Sequence, residues 1–475
     1  MEQPRSASVL AQYPQPDTAR LSAALAAEAN ANQRKIIVLD DDPTGVQTVH
    51  DIFVYTDWSI ESLRKGFAAP EKLFFILTNS RGFTAAETTK AHIEIAEHVD
   101  QVAREFGMDY LIISRGDSTL RGHYPLETDL LRQVAEKKGG FAMDGEILCP
   151  YFKEGGRFTL DNVHYVRYGD ELVPCGQTEF AKDETFGYTS SNLCDYIEEK
   201  TAGKFRAGDI TCISLESLRA LDFDGIEAQL LAVHDFGKVV VNAVEDCDVQ
   251  AFAVALYRAM AKGRHFTIRC AAALVKAIGN ISSQPLLSRE QMVTLKSSAG
   301  GIIVVGSHTK KTTAQLEELK NVPGIEFIEM DSDKVLIPGA LEQEAASIIE
   351  RCARLIQQGT TCCVSTKRTV LTLPDDTPEA ALVRSVAISD ALQSCVGKLP
   401  VTPAFVVAKG GITSSDVGVK ALRVQCARVL GQIRPGIPVW QTGPESLFPG
   451  TPYVIFPGNV GEVSTLREAV EILLG

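Results

Sequence analysis

The sequence lacks the patterns that most quickly identify a protein. No Cys-x-x-Cys pair occurs among its eleven cysteines, which removes the usual zinc and dithiol spacings. An odd count, with Cys362 and Cys363 adjacent, fits reduced and mostly buried thiols better than a disulfide framework. There is no GxxxxGK[ST] and no GxGxxG, so neither a Walker-type phosphate loop nor a dinucleotide fingerprint is present. No apolar run reaches the roughly 18 residues of a membrane span. The opening MEQPRSASVLAQYPQP also lacks the basic-then-apolar order of a secretory signal, so a cytoplasmic location is expected. Basic side chains are in deficit too: 47 Lys and Arg against 60 Asp and Glu give a net charge of −13. That field repels polyanions and anionic lipid, which excludes nucleic acid and membrane surfaces as expected partners.

What is present is an α/β rhythm. Short apolar runs, KIIVLD, DIFVY, KLFFILT, YLIIS, GEILC, ITCISL and KVVVNA, then GIIVVG, TCCVS, AFVVA, IPVWQ and YVIF, alternate with amphipathic stretches. Continuous apolar strands separated by helices predict two α/β domains with mostly parallel sheets covered on both faces, and ligands at the carboxyl ends of strands. The chain has 475 residues, room for about two to four domains. The helical pattern DVQAFAVALYRAMAKG, followed by the break at Gln284, Pro285 and Leu286, separates the two strand-rich blocks. The expected division is an N-terminal extension at 1–33, a first domain at 34–284 with a β-rich insertion at 151–188, and a second domain at 285–475. Within the extension, PDTARLSAALAAEAN reads as a capped helix.

Chemistry gathers where strands end. KIIVLDDDPTG places Asp40, Asp41 and Asp42 in a row before Gly45, and carboxylates this close suit a general base or a magnesium site. KLFFILTNSRG puts Arg81 at a second strand tip, ahead of a helix that Thr84 and Glu87 can close with a capping box. YLIISRGDSTLRG adds Arg115, Gly116, Asp117, Ser118 and Arg121. Its arginines can hold a carboxylate while Asp117 and Ser118 read hydroxyls, as a small hydroxy acid requires. In the second half, strand, glycine, hydroxyl and helix follow one another in GIIVVGSHT and AFVVAKGGITSSD, an order suited to binding anions at backbone amides. There Gly410 and Gly411 admit close approach, with Ile412, Thr413 and Ser414 completing the loop. VIFPGNVGE contributes Gly458 and Gly461.

The ordered set DDPTG, TNSRG, RGDSTLRGH, VVGSHT, KGGITSSDV and GNVGE resembles the four-carbon acid sugar kinase family from about Lys35 onward. The resemblance implies an N-terminal domain for the sugar acid, a C-terminal domain for ATP and an active site in the cleft between them. It implies an ATP-dependent kinase acting on the terminal hydroxyl of a small-molecule sugar acid such as threonate, erythronate or a 3-oxo-tetronate. Asp42, Arg81 and the run Arg115 to Ser118 would meet the sugar acid; Ser307, Gly410 to Ser414 and Gly458 would meet ATP. Asp42 is the expected general base with Asp41 as alternate, Arg81 and Arg115 would hold the carboxylate, and Mg2+ would bridge the ATP phosphates. A homodimer is compatible with family habit. Two rival readings start from the same residues. One is a haloacid-dehalogenase-like phosphatase with Asp40 as covalent nucleophile; the other is a sugar-acid and nucleotide sensor without turnover.

Overall fold

The apolar runs KIIVLD, KLFFILT, YLIISR and GEILC form the strands Lys35–Asp40, Leu73–Leu77, Tyr110–Arg115 and Gly145–Cys149 of a parallel sheet. The computed structural model to which they belong describes residues 2–294, 297–374, 376–458 and 460–475. It divides into one compact unit up to Gly45 and from Asp57 to Ser283, and a second made of Val46–Thr56 and Gln284–Gly475.

Across the parallel sheet of the first unit the order is Thr211–Ile213, Gly237–Val241, Gly145–Cys149, Phe266–Cys270, Tyr110–Arg115, Lys35–Asp40, Leu73–Leu77. Buried on both faces, its strands are apolar without alternation; Ile36, Ile37 and Val38 are all inaccessible to solvent. After Lys35–Asp40 the chain crosses to one side to make Leu73–Leu77, then returns to the other side to make Tyr110–Arg115. Such a reversal opens a crevice at the carboxyl ends of the two strands it separates. Asp40 and Arg115, partners in register, stand there. Phe266–Cys270 lies inside this sheet, within a stretch that the sequence reading treats as a separator between domains.

The extension and the insertion form a second, antiparallel sheet, ordered Arg5–Ser6, Glu171–Pro174, Val163–Tyr168, Arg157–Leu160. The helix Thr18–Ala31, capped by Asp17, buries Leu21, Leu25 and Ala29 and packs on the helix Asp246–Ala261.

The sheet of the second unit runs Ile52–Tyr55, Cys426–Arg434, Ile437–Thr442, Pro452–Phe456, Val406–Lys409, Ile302–Val305, Thr361–Thr366, Ile325–Met330. Strands from Pro452–Phe456 onward are parallel, and the others are antiparallel. Ile303, Val305, Val407, Val439, Val454 and Phe456 belong to its core. Here too the chain reverses, since Ile302–Val305 lies between Thr361–Thr366 and Val406–Lys409. The division differs from the expected one at Val46–Thr56, whose strand pairs with Cys426–Arg434 through Asp51 N to Val429 O (2.7 Å) and Thr56 N to Gln425 O (3.1 Å). An apolar run does not specify which sheet it joins. All eleven cysteines are free thiols. Among the described residues no helix is long and apolar enough to cross a membrane.

Candidate active site

At the end of Lys35–Asp40 the chain turns through Asp42, whose side chain accepts from Thr44 N (2.7 Å) and the Thr44 hydroxyl. The turn closes with Gly45 N on Asp42 O at 3.1 Å. A side chain at Gly45 would overlap the Asp40 carboxylate, which explains glycine there. Two arginines neutralise the acids. Arg81 donates to Asp41 (2.7 and 3.3 Å) and to Asp42 (3.1 Å); Arg115 donates to Asp40 (2.9 Å) and Asp41 (3.4 Å). The side chains of Asp40 and Asp41 are 2% exposed, while Asp42 keeps 18% and Arg81 22%, so the last pair forms the accessible edge of the cluster.

Burial drives the Asp40 carboxyl up to about 7, with Asp41 and Asp42 adding to it and Arg115 opposing. Burial acts the same way on Asp42, but Arg81, Arg115 and the Thr44 hydrogen bonds outweigh it and hold that carboxyl below its ordinary value. Arg115, expected on a ligand carboxylate, is instead 4% exposed and engaged by Asp40 and Asp41. Arg81 and Arg115 take both oxygens of Asp41 and one oxygen each of Asp40 and Asp42. Among the described residues no group of three His, Cys, Asp or Glu side chains is placed to hold a metal ion. Asp40, the nucleophile of the phosphatase reading, points into protein.

Beside the cluster, Arg115 leads into the loop Gly116–Gly122. Asp117 accepts from Arg121 Nε (2.8 Å) and the Thr119 hydroxyl. Burial raises its carboxyl, yet Arg81, Arg121 and these bonds hold it well below the usual carboxylate range. Ser118 is fixed through its carbonyl, 2.8 Å from His164 Nε2, while His164 Nδ1 lies 2.9 Å from the Thr159 hydroxyl. Burial lowers His164 to about 4, so the ring is neutral at pH 7; its single N–H faces Ser118 and Nδ1 accepts from Thr159. The expected capping box is present, Thr84 with Glu87, and it opens the helix Ala85–Phe106 that follows the Ser80–Gly82 turn carrying Arg81.

Sequence reading passes over a buried group behind these loops. Arg269 donates to Glu127 and to Ser114 Oγ (2.9 Å); Glu127 also accepts from Ser80 Oγ (2.7 Å) and lies 3.7 Å from His92 Nε2. An arginine inside the apolar run FTIRC is the signal that could have revealed it.

In the second unit, Gly306 and Ser307 leave Ile302–Val305 beside the Gly410 turn that follows Val406–Lys409. Gly410 has φ +121°, and a Cβ there would stand 3.1 Å from Ser307 Cβ; Gly411 has open space where a side chain would project. The helix Gly411–Asp416 begins at that point, and first-turn amides have no intrahelical partner. Ile412 is 77% exposed beside them. The Thr312 hydroxyl lies 3.0 Å from Ser307 Oγ and 3.4 Å from Gly458 O, gathering Ser307 and Gly458 at one place. Lys409 Nζ donates to Pro457 O (2.6 Å) and Gly458 O (3.2 Å), and burial lowers this amine to about 7. Two expected contributors have other work. The Ser414 hydroxyl donates to Ala408 O at 2.9 Å. Gly461, at φ +82°, shapes the turn before Thr465–Leu474 and packs on Thr465. Gly410 N donates to Phe456 O (2.9 Å), which ties the turn to the adjacent strand and leaves Gly411, with open space around it, as the exposed start of the helix.

Residues 36–278 match a family model described as a sugar-binding N-terminal domain, and residues 302–466 match one described as a nucleotide-binding C-terminal domain. A D-threonate kinase of Salmonella typhimurium (strain LT2) is 23% identical over 369 residues, 76% of this chain and 80% of that protein. A Haemophilus influenzae protein from a family of unknown function superposes with a TM-score of 0.61, covering 92% of this chain and 100% of its own at 17% identity. A Salmonella typhimurium LT2 protein reaches 0.65, covering 91% and 98% at 15% identity. At these identities the solved structures share the fold, and the paired domain matches carry the assignment: the chain belongs to the four-carbon acid sugar kinase family.

Proposed function

We propose that the protein transfers a phosphoryl group from ATP to the terminal hydroxyl of a four-carbon sugar acid such as threonate, erythronate or a 3-oxo-tetronate. The observation that carries this reading is the accessible pair Asp42 and Arg81 at the crevice of the sheet matched as sugar-binding. Asp42 is kept ionised by Arg81 and Arg115, is held in place by Thr44, and is the one acid of the three with exposed surface. It accepts the proton of the attacking hydroxyl, while Asp41 holds Arg81 in line. Arg81 and Arg121 have exposed surface to meet the carboxylate, Arg115 backs the acids, and Gly116, Asp117 and Ser118 line the hydroxyls. Phosphoryl transfer relies on positioning and charge neutralisation, which suits an acid–arginine site in one unit and a glycine-turned amide site in the other. Ser307, Gly410 to Thr413 and Gly458 are the residues that would hold the nucleotide phosphates. Mg2+, arriving with the nucleotide, would supply further neutralisation there.

Tetronic acids are the first candidates because the relative at 23% identity is a D-threonate kinase. A phosphatase using Asp40 is not favoured, given that side chain's burial on Arg115. The test is ADP formation from ATP and Mg2+ across threonate, erythronate, their 3-oxo forms and longer aldonates, alongside Asp42→Asn. Turnover with at least one tetronate, reduced about 10²–10⁴-fold by the substitution, is expected. Turnover within a few-fold of wild type in a folded Asp42→Asn protein would remove the base from its role.

A further inference from the structure

Arg269 ends the run FTIR inside the first sheet, 6% exposed, and nothing in the proposed sugar-acid chemistry uses it. Its guanidinium nonetheless reaches residues on either side of that site. Nη1 donates to Ser114 Oγ and Glu127; Nη2 reaches Arg121 O (3.4 Å) and lies 3.9 Å from Asp41 Oδ2. Two glycines complete the cradle. A Cβ on Gly116 would overlap the guanidinium carbon, and one on Gly122 would stand 2.6 Å from Nη2. Gly122 has φ +121°, so its backbone alone favours glycine; Gly116 has no positive φ, so there the guanidinium is what excludes a side chain. Glu127, 2% exposed, is kept ionised against burial by Arg269 and His92, and ties the same arginine to the Ser80–Gly82 turn through Ser80.

A buried arginine–carboxylate pair adds little net stability, because desolvation offsets its attraction, but its fork specifies geometry. Here the fork joins the Asp41 cluster, the Arg81 turn and the loop with Asp117 and Arg121. We propose, resting on the reading of these loops as the sugar-acid site, that Arg269 is a positioning residue: seated where Gly116 and Gly122 leave room, it sets the loop's approach to the acid cluster and so the grip on the sugar acid. The two glycines of RGDSTLRG are then requirements of a residue about 150 positions later in the chain, as much as of the ligand.

The test is a double-mutant cycle between Gly116→Ala and Arg269→Lys, which retains a cation for Glu127 but vacates the fork. Its main readout is sugar-acid affinity by calorimetry without nucleotide, which does not depend on turnover. Each single change is expected to weaken sugar-acid binding about tenfold, with nucleotide affinity within twofold of wild type. Added to Arg269→Lys, Gly116→Ala is expected to weaken binding less than twofold further. Multiplicative losses, an unchanged affinity in Gly116→Ala, or equal losses for nucleotide would overturn the proposal. Where the cycle holds but no sugar acid is phosphorylated, the kinase reading fails and the positioning role stands.

Discussion

Three consecutive carboxylates can stay together at residue scale only if their environments differ. Asp40 is sealed against Gly45 and driven up to about 7; Asp42, at the exposed edge, is held down by two guanidinium groups. Pulling neighbouring acids apart in this way is how one site can keep both a neutral and an ionised carboxyl at neutral pH. It also has a stability consequence. An unfolded Asp titrates near 3.8, so Asp40 binds its proton more tightly in the folded chain. Its contribution is fully present below that value and is lost as pH rises through about 7. Asn mimics the protonated form and cannot ionise. The melting temperature of Asp40→Asn relative to wild type should therefore be higher at pH 8 than at pH 5, by about 2–4 °C for each kcal/mol involved. A pH-independent difference would show that Asp40 does not titrate in this range.

Local chemistry was legible at the scale of elements, and long-range pairing was not. The Thr84–Glu87 capping box, the Asp17 cap and the acids and arginines at strand tips follow from residues a few positions apart, so the sequence displays them directly. Ile52–Tyr55 reads as a strand of the first domain, yet its partner Cys426–Arg434 lies far along the chain. Arg269 was missed for the same reason, since its contacts with Glu127, Ser114 and Asp41 come from other strands and helices. In the second unit the Gly410 turn was legible as a glycine pair after a strand, but its geometry was not. At φ +121°, facing Ser307, Gly410 has little room for a side chain. Gly410→Ala should raise the nucleotide Kd about tenfold or more while sugar-acid affinity stays within twofold, measured by calorimetry on the full chain. Unchanged nucleotide affinity would remove this turn from the nucleotide site.

Across the whole molecule, one topological device occurs twice. Each unit has a sheet whose strand order reverses, and each carries its candidate binding loops at the carboxyl ends of the strands on either side of that reversal. The loops differ in kind. The first unit presents acids and arginines fixed to one another, suited to a small polyol acid; the second presents glycine turns and helix-start amides, suited to phosphate. Ligands of different chemistry should therefore protect different stretches of one chain. In native-state hydrogen exchange a sugar acid alone is expected to slow amides in 40–45, 79–82 and 115–122, while a non-hydrolysable ATP analogue with Mg2+ slows 306–309 and 410–414. Proline at 43 has no amide to report, so the first stretch is read from its neighbours. Protection by the nucleotide analogue centred on 115–122, or by the sugar acid centred on 410–414, would reverse the assignment of ligands to units, because burial and hydrogen bonding of the contacted backbone are what slow exchange.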